Sequence, residues 1–276
     1  MKKQFDHRVM SSLLLYLDHR LLSSGEAYFD ATGHFYPVEN EYTNRYTYAL
    51  PYKQLVNDES ITGATVMTGV YLNSVFVTPG TSGLLNINHY NGTVDFDSDM
   101  SNEEITGSFS VKEASFVLTD DPDSKLVYEN KYFKNPKYNQ TLSGLQPDTY
   151  SLPAIFLKKR GGANEPFALG NCDMTRLDVR AIVVSDNQYT ADGIASIFKD
   201  TNWRRYDFVD DPPFDVRGGY TGMSYNYTGE TSNALTGPLI ESVNESTIQA
   251  RGDYQSINNN LNVTFVDFEI NYIRPH

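Results

Sequence analysis

The apolar residues change from helical spacing to a period of two after the first 25 residues, and that change restricts the fold to a mainly-β type with one clear helix. From Asp6 to Ser24 the spacing is helical, and Gly25 ends the pattern. The residues on the main apolar face of this helix are Met10, Leu13, Leu14, Leu17 and Leu21. Later segments alternate apolar and polar residues with a period of two, as half-buried strands do. Repeated strand–helix units are missing, so the sequence predicts an α+β, mainly β fold.

Additional apolar residues lie outside the main apolar face of the predicted helix. They include Leu15, Tyr16 and Leu22. An apolar surface this wide exceeds what a single contact needs. The helix is therefore either sandwiched within the fold or in contact with another subunit on its second side. Under the second alternative, Leu15, Tyr16 and Leu22 are the candidate interface residues.

The period-two segments predict an antiparallel β-sandwich or a barrel-like sheet. Candidate strands cover 64–78, 104–120 and 125–133. Asn91 and Gly92 stand between alternating apolar residues, which is the sequence pattern of a β-hairpin. Near the end of the chain the alternation changes phase between Phe265 and Val266, which predicts a β-bulge there.

One short strand–helix unit accompanies these strands. The segment DVRAIVVSD, residues 178–186, predicts a buried strand. Thr190 or Asp192 is the expected N-cap of a helix over about 191–200. The residues expected on the inner face of this helix are Ile194, Ile197 and Phe198.

The predicted domain organisation is an N-terminal helix, residues 1–25, followed by a single β-rich domain, residues 26–276. Turn-forming residues are concentrated at 134–152 and 210–237, so long loops are expected there. A length of 276 residues is sufficient for one large β-rich domain.

Charge and hydropathy exclude two classes of partner. The net charge is −13 and LKKR at 157–160 is the one basic cluster, so direct nucleic-acid binding is not expected. No apolar run approaches the 18 or so residues that a membrane span needs. Without a recognisable secretion signal, the single cysteine, Cys172, is expected to stay reduced.

The acidic segment DFDSDMSNEE begins like a calcium-binding loop, with Asp95, Asp97 and Asp99 at alternate positions. That loop also needs Gly at its sixth position and Glu at its twelfth. Met100 and Thr106 occupy those positions, so no metal site is predicted.

The candidate nucleophiles and bases also lack the sequence context that catalysis needs. Ser185 follows a strand, but no flanking glycine permits the strained turn of a nucleophile elbow. Cys172 has no adjacent cation in the sequence to lower its pKa, and His89 alternates with apolar residues as a half-buried strand residue does. We therefore predict no catalytic residue, no cofactor and a role for the 164–200 segment in architecture.

Three phrases carry a resemblance to a known class of proteins. They are NEPFALGN, DVRAIVVSDNQYTADGIASIFKD and NVTFVDFEINYIRPH, within residues 164–200 and 261–276. In these phrases the chain resembles virion structural proteins of tailed bacteriophages. The resemblance implies synthesis in the host cytoplasm, location in the virion, and a neck or tail-completion subunit in a homo-oligomeric ring among other virion structural proteins. No functional residue is carried over from it.

The sequence thus leads to a non-enzymatic structural protein of a phage neck or tail. Its many tyrosines suit protein–protein interfaces, where tyrosine is enriched. They suit sugar stacking equally well, so a carbohydrate- or receptor-binding β-sandwich is the alternative. A hydrolase that uses the Asp-rich loops is the third hypothesis, and it requires two carboxylates converging in a cleft.

Overall fold

The computed structural model describes residues 5–39, 44–134, 149–168, 172–209, 211–215, 219–231, 237–247 and 261–275. The fold is α+β and mainly β, as the sequence predicts. In the described residues the helices are α1 (Phe5–Gly25), α2 (Gln188–Lys199) and α3 (Tyr227–Glu230), with a π-helical turn at Lys125–Glu129.

Within the residues that the structure describes, the strands form four sheets. In chain order they are β1 (Tyr28–His34), β2 (Tyr36–Val38), β3 (Tyr46–Ala49), β4 (Val70–Leu72), β5 (Val75–Val77), β6 (Leu84–Asn88), β7 (Thr93–Phe96), β8 (Ile105–Lys112), β9 (Ser115–Leu118), β10 (Lys131–Lys134), β11 (Thr149–Leu152), β12 (Ala154–Ala168), β13 (Cys172–Ser185), β14 (Arg204–Arg205), β15 (Leu239–Thr247) and β16 (Asn262–Pro275). A two-stranded parallel sheet pairs β10 with β11.

The largest sheet has six strands in the order β14-β15-β16-β13-β12-β9. All neighbours are antiparallel except β12 and β9. One face packs against α1 and α2, where Leu13, Val179, Phe198 and Phe268 belong to one buried cluster. Part of the opposite face has a smaller apolar cluster around Phe156. The sheet is therefore buried on both sides at one end of β12, β13 and β16.

Two four-stranded antiparallel sheets pack together as a small β-sandwich. Their strand orders are β1-β8-β4-β5 and β2-β3-β7-β6. Val70, Phe109 and Val111 from the first sheet share a buried cluster with Val94 and Phe96 from the second. This pairing of sheets is the sandwich that the period-two segments predict.

The sandwich and the six-stranded sheet are joined by a very short connection. β8 ends at Lys112 in the sandwich, and β9 begins at Ser115 in the large sheet. Glu113 and Ala114 make this crossing, and the amide of Glu113 donates to the carbonyl of Ala27 at 2.7 Å. The predicted single strand over 104–120 is therefore wrong, because the chain changes sheets within it.

Two other predicted strands are also wrong in detail. Residues 64–78 contain the hairpin of β4 and β5, because Asn73 and Ser74 both adopt positive φ and reverse the chain. In 125–133 a π-helical turn precedes β10. The predicted loop over 134–152 contains β11 at its end, and its residues 135–148 lie outside the described residues.

The predicted β-bulge at Phe265 and Val266 is not observed, because β16 keeps continuous register with β13 and β15 through these residues. The alternation changes phase since this part of β16 is buried on both faces. Val263 belongs to the cluster around Phe156, whereas Val266 faces the helices. The register shift in this pair lies on β15, between Ile240 and Ser242.

The helix α2 begins earlier than predicted because Asn187 is its N-cap. The Asn187 side chain accepts a hydrogen bond from the amide of Thr190 at 2.7 Å. Ile194 and Phe198 are buried as predicted, and Ile197 packs beside them while partly exposed. The predicted loop over 210–237 includes α3, and residues 210, 216–218 and 232–236 of it lie outside the described residues.

The hairpin of β6 and β7 forms as Asn91-Gly92 predicts, and Gly92 has a φ of +65°. A Cβ on Gly92 would lie 2.0 Å from the carbonyl oxygen of Tyr52. We expect Gly92→Ala to lower the free energy of unfolding by at least about 1–3 kcal/mol, through strain and this clash.

The matched control is Gly193→Ala in α2. A Cβ there meets nothing within 4 Å, and alanine favours helices more than glycine. We expect this control to raise the free energy of unfolding by up to about 1 kcal/mol. Urea titration of both variants provides the comparison, and equal effects at the two glycines would contradict it.

Candidate functional site

The candidate interface residues of α1 lie at different depths. Leu15 is 0% and Leu22 1% exposed, so both side chains are buried within the subunit. Tyr16 is partly exposed and stacks on Tyr206, with ring centroids 5.6 Å apart. The sandwiched alternative therefore describes the two leucines, and they are not available to a partner in this fold. Tyr16 keeps an exposed edge.

A buried polar junction lies where α1 meets the sandwich. Asp18 of α1 and Lys112 at the end of β8 form an ion pair, with Oδ2 and Nζ 2.5 Å apart. Their side chains are 1% and 5% exposed. Burial raises the pKa of Asp18, and the nearby Lys112 opposes that rise. The pair therefore links α1, whose leucines belong to one large apolar cluster, to β8, whose apolar residues belong to the other.

A second ionisable pair lies one residue further along α1. His19 Nδ1 is 2.8 Å from Oδ2 of Asp58, which is fully buried. Oδ1 of Asp58 accepts bonds from the amide and hydroxyl of Ser60 at 2.9 and 2.7 Å, and from the amide of Tyr227 at 3.1 Å. Burial acts to raise the pKa of Asp58, but these hydrogen bonds together lower it below its ordinary value.

A histidine paired with a buried carboxylate is also the orienting half of many catalytic sites. Here the ring of His19 stacks on the ring of Tyr227, with centroids 4.4 Å apart. The bonds to Asp58 come from α1, from the turn at 58–60 and from α3. The arrangement therefore fixes three separate elements to one another, which is a structural use of the pair.

We expect Asp58→Asn to lower the free energy of unfolding by about 1–3 kcal/mol at neutral pH, because the charged partner of His19 is lost. Folding lowers the pKa of Asp58, so its contribution is present above the ordinary carboxyl range. That contribution is lost as the pH falls through the folded pKa. The difference between the two proteins should therefore shrink on acidification.

Chemical denaturation at a series of pH values measures this difference. Asp120→Asn is the matched control, since Asp120 is exposed just after β9. A difference between wild type and Asp58→Asn that stays constant down to the most acidic pH would contradict the assignment.

His89 occupies a turn and is more deeply buried than the sequence predicts. It follows β6 and is 3% exposed. Nδ1 lies 2.8 Å from the carbonyl oxygen of Gly222, and Nε2 lies 2.9 Å from that of Met67. Burial lowers the pKa of His89. Its ring thus connects the hairpin turn to two distant segments.

Ion pairs lie on the face of the six-stranded sheet that is opposite α1 and α2. The guanidinium of Arg180 on β13 donates two hydrogen bonds of 2.7 Å to the carboxylate of Asp267 on β16. Arg176 and Glu269 are 2.7 Å apart on the same strands. These pairs border a groove of roughly 370 Å³. Its lining residues are Arg160, Asp178, Ser242, Asn244, Asp267, Phe268 and Glu269.

Large aromatic side chains are exposed at turns, helix ends and strand edges. Trp203, in the turn after α2, is 65% exposed, and Tyr189 at the start of α2 is 90% exposed. Tyr71 and Phe76 form an exposed cross-strand pair between β4 and β5, with ring centroids 5.2 Å apart. Aromatic residues of this kind dominate the energetics of protein interfaces.

The remaining sequence candidates have architectural positions. Ser185 is fully buried at the end of β13, and its hydroxyl accepts from the amide of Asn187 at 3.3 Å. Cys172 begins β13 and is partly exposed. Asp95 accepts from Thr47, and Asp99 accepts from Tyr48.

The described ranges contain neither a metal cluster nor a membrane-spanning helix. Within them, no three His, Cys, Asp or Glu side chains gather where a metal ion could be held. No helix among the same residues combines the length and apolar content that a membrane span requires.

The sequence did not point to the two buried pairs. Asp18 and Lys112 are 94 residues apart, and His19 and Asp58 are 39 residues apart. The one local signal is that Asp18, His19 and Arg20 interrupt the run of apolar residues from Leu13 to Leu22.

No protein-family model and no curated protein matches this chain.

Proposed function

We propose that this protein is a non-enzymatic structural component of a tailed-phage virion. It acts as a neck or tail-completion subunit that joins head and tail through protein–protein contacts, within a homo-oligomeric ring. The resemblance in residues 164–200 and 261–276 supports the virion assignment. The fold supports the structural role, because its two buried ionisable pairs connect separate elements of the subunit.

The observation that carries this proposal is the exposure of large aromatic side chains. In the described residues these aromatic side chains are Tyr36, Tyr46, Tyr71, Phe76, Tyr189 and Trp203. Leaving such side chains in water forgoes the free energy that their burial provides. An interface with other virion proteins would recover that free energy.

The charge of the protein fits the same role. A net charge of −13 gives like-charge repulsion against a nucleic-acid backbone. A ring with an acidic inner surface would let DNA pass without adhering to it. The proposal therefore includes no direct sequence-specific contact with nucleic acid, and it also includes no membrane contact.

Native mass spectrometry of the purified chain, together with its detection in purified virions, tests the proposal. We expect a closed oligomer in solution and co-purification with particles. A stable monomer that never accompanies virions would overturn the proposal.

The groove on the six-stranded sheet favours one alternative, a carbohydrate- or receptor-binding module. Asp178, Asn244 and Glu269 present directional hydrogen-bonding groups around a volume of roughly 370 Å³. Glycan-array binding by wild type, compared with Asp178→Ala and Asn244→Ala, tests it. The control is Asp192→Ala, an exposed position on α2. Binding that both groove variants lose and the control keeps would favour this alternative.

A further inference from the structure

We infer that residues Trp203, Arg204 and Arg205, which we call the Trp-Arg surface, bind the acidic loop 97–104 of a second copy of this chain. The contact joins two different surfaces of the subunit, one at the edge of the six-stranded sheet and one on the loop between β7 and β8 of the sandwich. The inference rests on the proposed function, since it supplies the contact that would join neighbouring subunits of a ring.

The Trp-Arg surface holds its tryptophan outward on a fixed backbone. Trp203 is 65% exposed and has a φ of +57°, a left-handed conformation that bulky residues rarely adopt. The amide of Trp203 donates to Ile240 at 2.9 Å, and that of Arg204 donates to Thr201 at 3.0 Å. These bonds hold the turn on both sides of the side chain. Strain that is retained at an exposed aromatic residue is typical of binding sites.

Two exposed arginines follow the tryptophan at the edge of the large sheet. The Nη1 of Arg205 donates to the carbonyl of Gly237 at 2.7 Å. Within the described residues Arg204 forms no ion pair, whereas most other exposed cations do, including Arg176 and Lys199. Trp and Arg are the residue types that contribute most to interface hot spots. This surface is therefore equipped for an acidic protein partner.

The acidic loop 97–104 has the complementary charge. Its carboxylates Asp97, Asp99, Glu103 and Glu104 are all exposed, and it contains no Lys or Arg. Hydrogen bonds to Asp99 order the loop. The carboxylate accepts one from the amide of Ser101 within the loop, at 2.9 Å, and one from the hydroxyl of Tyr48 on β3, at 3.0 Å. Hydrogen bonds lower the pKa of Asp99 and keep its carboxylate ionised, and the bond from the Ser101 amide has the largest effect.

A contact between two different surfaces is heterologous, and it generates a ring when the rotation closes. One chain contains both halves of this contact, so copies of a single protein suffice to form it. The contact is charged and exposed, so we expect added salt to weaken it.

Sedimentation velocity of the full chain over a concentration series measures the association. We expect Trp203→Ala to weaken it by about 30-fold or more, as the loss of a hot-spot residue does. We expect Arg204→Glu/Arg205→Glu and the loop variant Asp97→Lys/Glu103→Lys/Glu104→Lys, which keeps Asp99 and reverses the net charge of the loop, each to abolish self-association. The control is Lys125→Glu/Lys131→Glu, which makes the same charge change at exposed positions elsewhere. It should associate like wild type.

Charge reversal identifies the partner surface. An equimolar mixture of the arginine variant and the loop variant should recover association, because each then carries one surface complementary to the other. Thermal unfolding checks that each variant is folded. Arg204→Gln/Arg205→Gln provides a milder pair that should still weaken association.

The outcomes separate the two proposals. If wild type associates and either reversal leaves association intact, the Trp-Arg contact is overturned and the structural function stands. If both reversals abolish association and their mixture does not recover it, the acidic loop is not the occupant. A wild type that stays monomeric and is absent from virions overturns the proposed function and this contact with it.

Discussion

We expect Lys112→Met to lower the free energy of unfolding by about 3–5 kcal/mol at neutral pH, because it leaves the buried carboxylate of Asp18 without its charged partner. Asp18 is 1% exposed and Lys112 5%. Removal of one member of a buried pair costs more than replacement of both by apolar residues. Urea unfolding monitored by circular dichroism provides the measurement.

The double variant Asp18→Leu/Lys112→Met is the matched control. It should recover much of the loss, since no uncompensated charge remains. The pH dependence gives a second test. Burial already raises the pKa of Asp18, and loss of Lys112 should raise it further. A group whose folded pKa is raised stabilises the fold at low pH and loses this effect as the pH rises through that pKa.

The loss of unfolding free energy caused by Lys112→Met should therefore be smallest in acid and grow towards neutral pH. If the single variant loses less than the double variant at every pH, the pair does not have the buried character described above.

We expect Leu15→Glu to abolish the folded subunit. Leu15 is 0% exposed in the cluster between α1 and the six-stranded sheet. Loss of such a leucine side chain alone costs about 2–5 kcal/mol. Burial of an unpaired carboxylate adds to that cost, and whole domains are stable by only about 5–15 kcal/mol. Circular dichroism and thermal unfolding of the purified variant measure the effect.

Ser23→Glu introduces the same side chain at an exposed position of α1 and should leave the fold intact. Leu15→Ala should remain folded at lower stability. A Leu15→Glu protein that is folded but no longer self-associates would instead place Leu15 at a subunit interface.

The elements that local signals specify were predictable from the sequence. The helical spacing from Asp6 to Ser24 places α1 within one residue at each end. Asn91-Gly92 locates the hairpin of β6 and β7. Both signals act over a few residues, so no knowledge of distant contacts is needed. The mainly-β fold class follows from the same local periodicities.

The errors have causes that are not local. Asn73-Ser74 turns the chain between β4 and β5 without a glycine, so the local spacing predicts one strand where the structure has a hairpin. Residues 104–120 divide because β8 and β9 pair with different sheets. The apparent bulge near Phe265 reflects burial on two faces. In each case the structure depends on which elements the segment pairs with or packs against. The local spacing of apolar residues does not specify those partners.

The candidate site was the least predictable part. The partner of His19 is 39 residues away, and only the folded chain brings its imidazole to Asp58. The Trp-Arg surface is contiguous in the sequence, but the exposure of Trp203 and its positive φ depend on the turn that follows α2.

The packing of α1 also bears on the order in which the protein can fold during synthesis. Phe5 contacts the ring of Tyr272 with centroids 5.1 Å apart, although the two are 267 residues apart (272 − 5). At translation rates of 5–20 residues per second, α1 leaves the ribosome roughly 15–50 s before the strand that completes its contacts. The part of its apolar surface that packs against late segments remains exposed for that interval, so a chaperone is expected to shield this helix on the nascent chain.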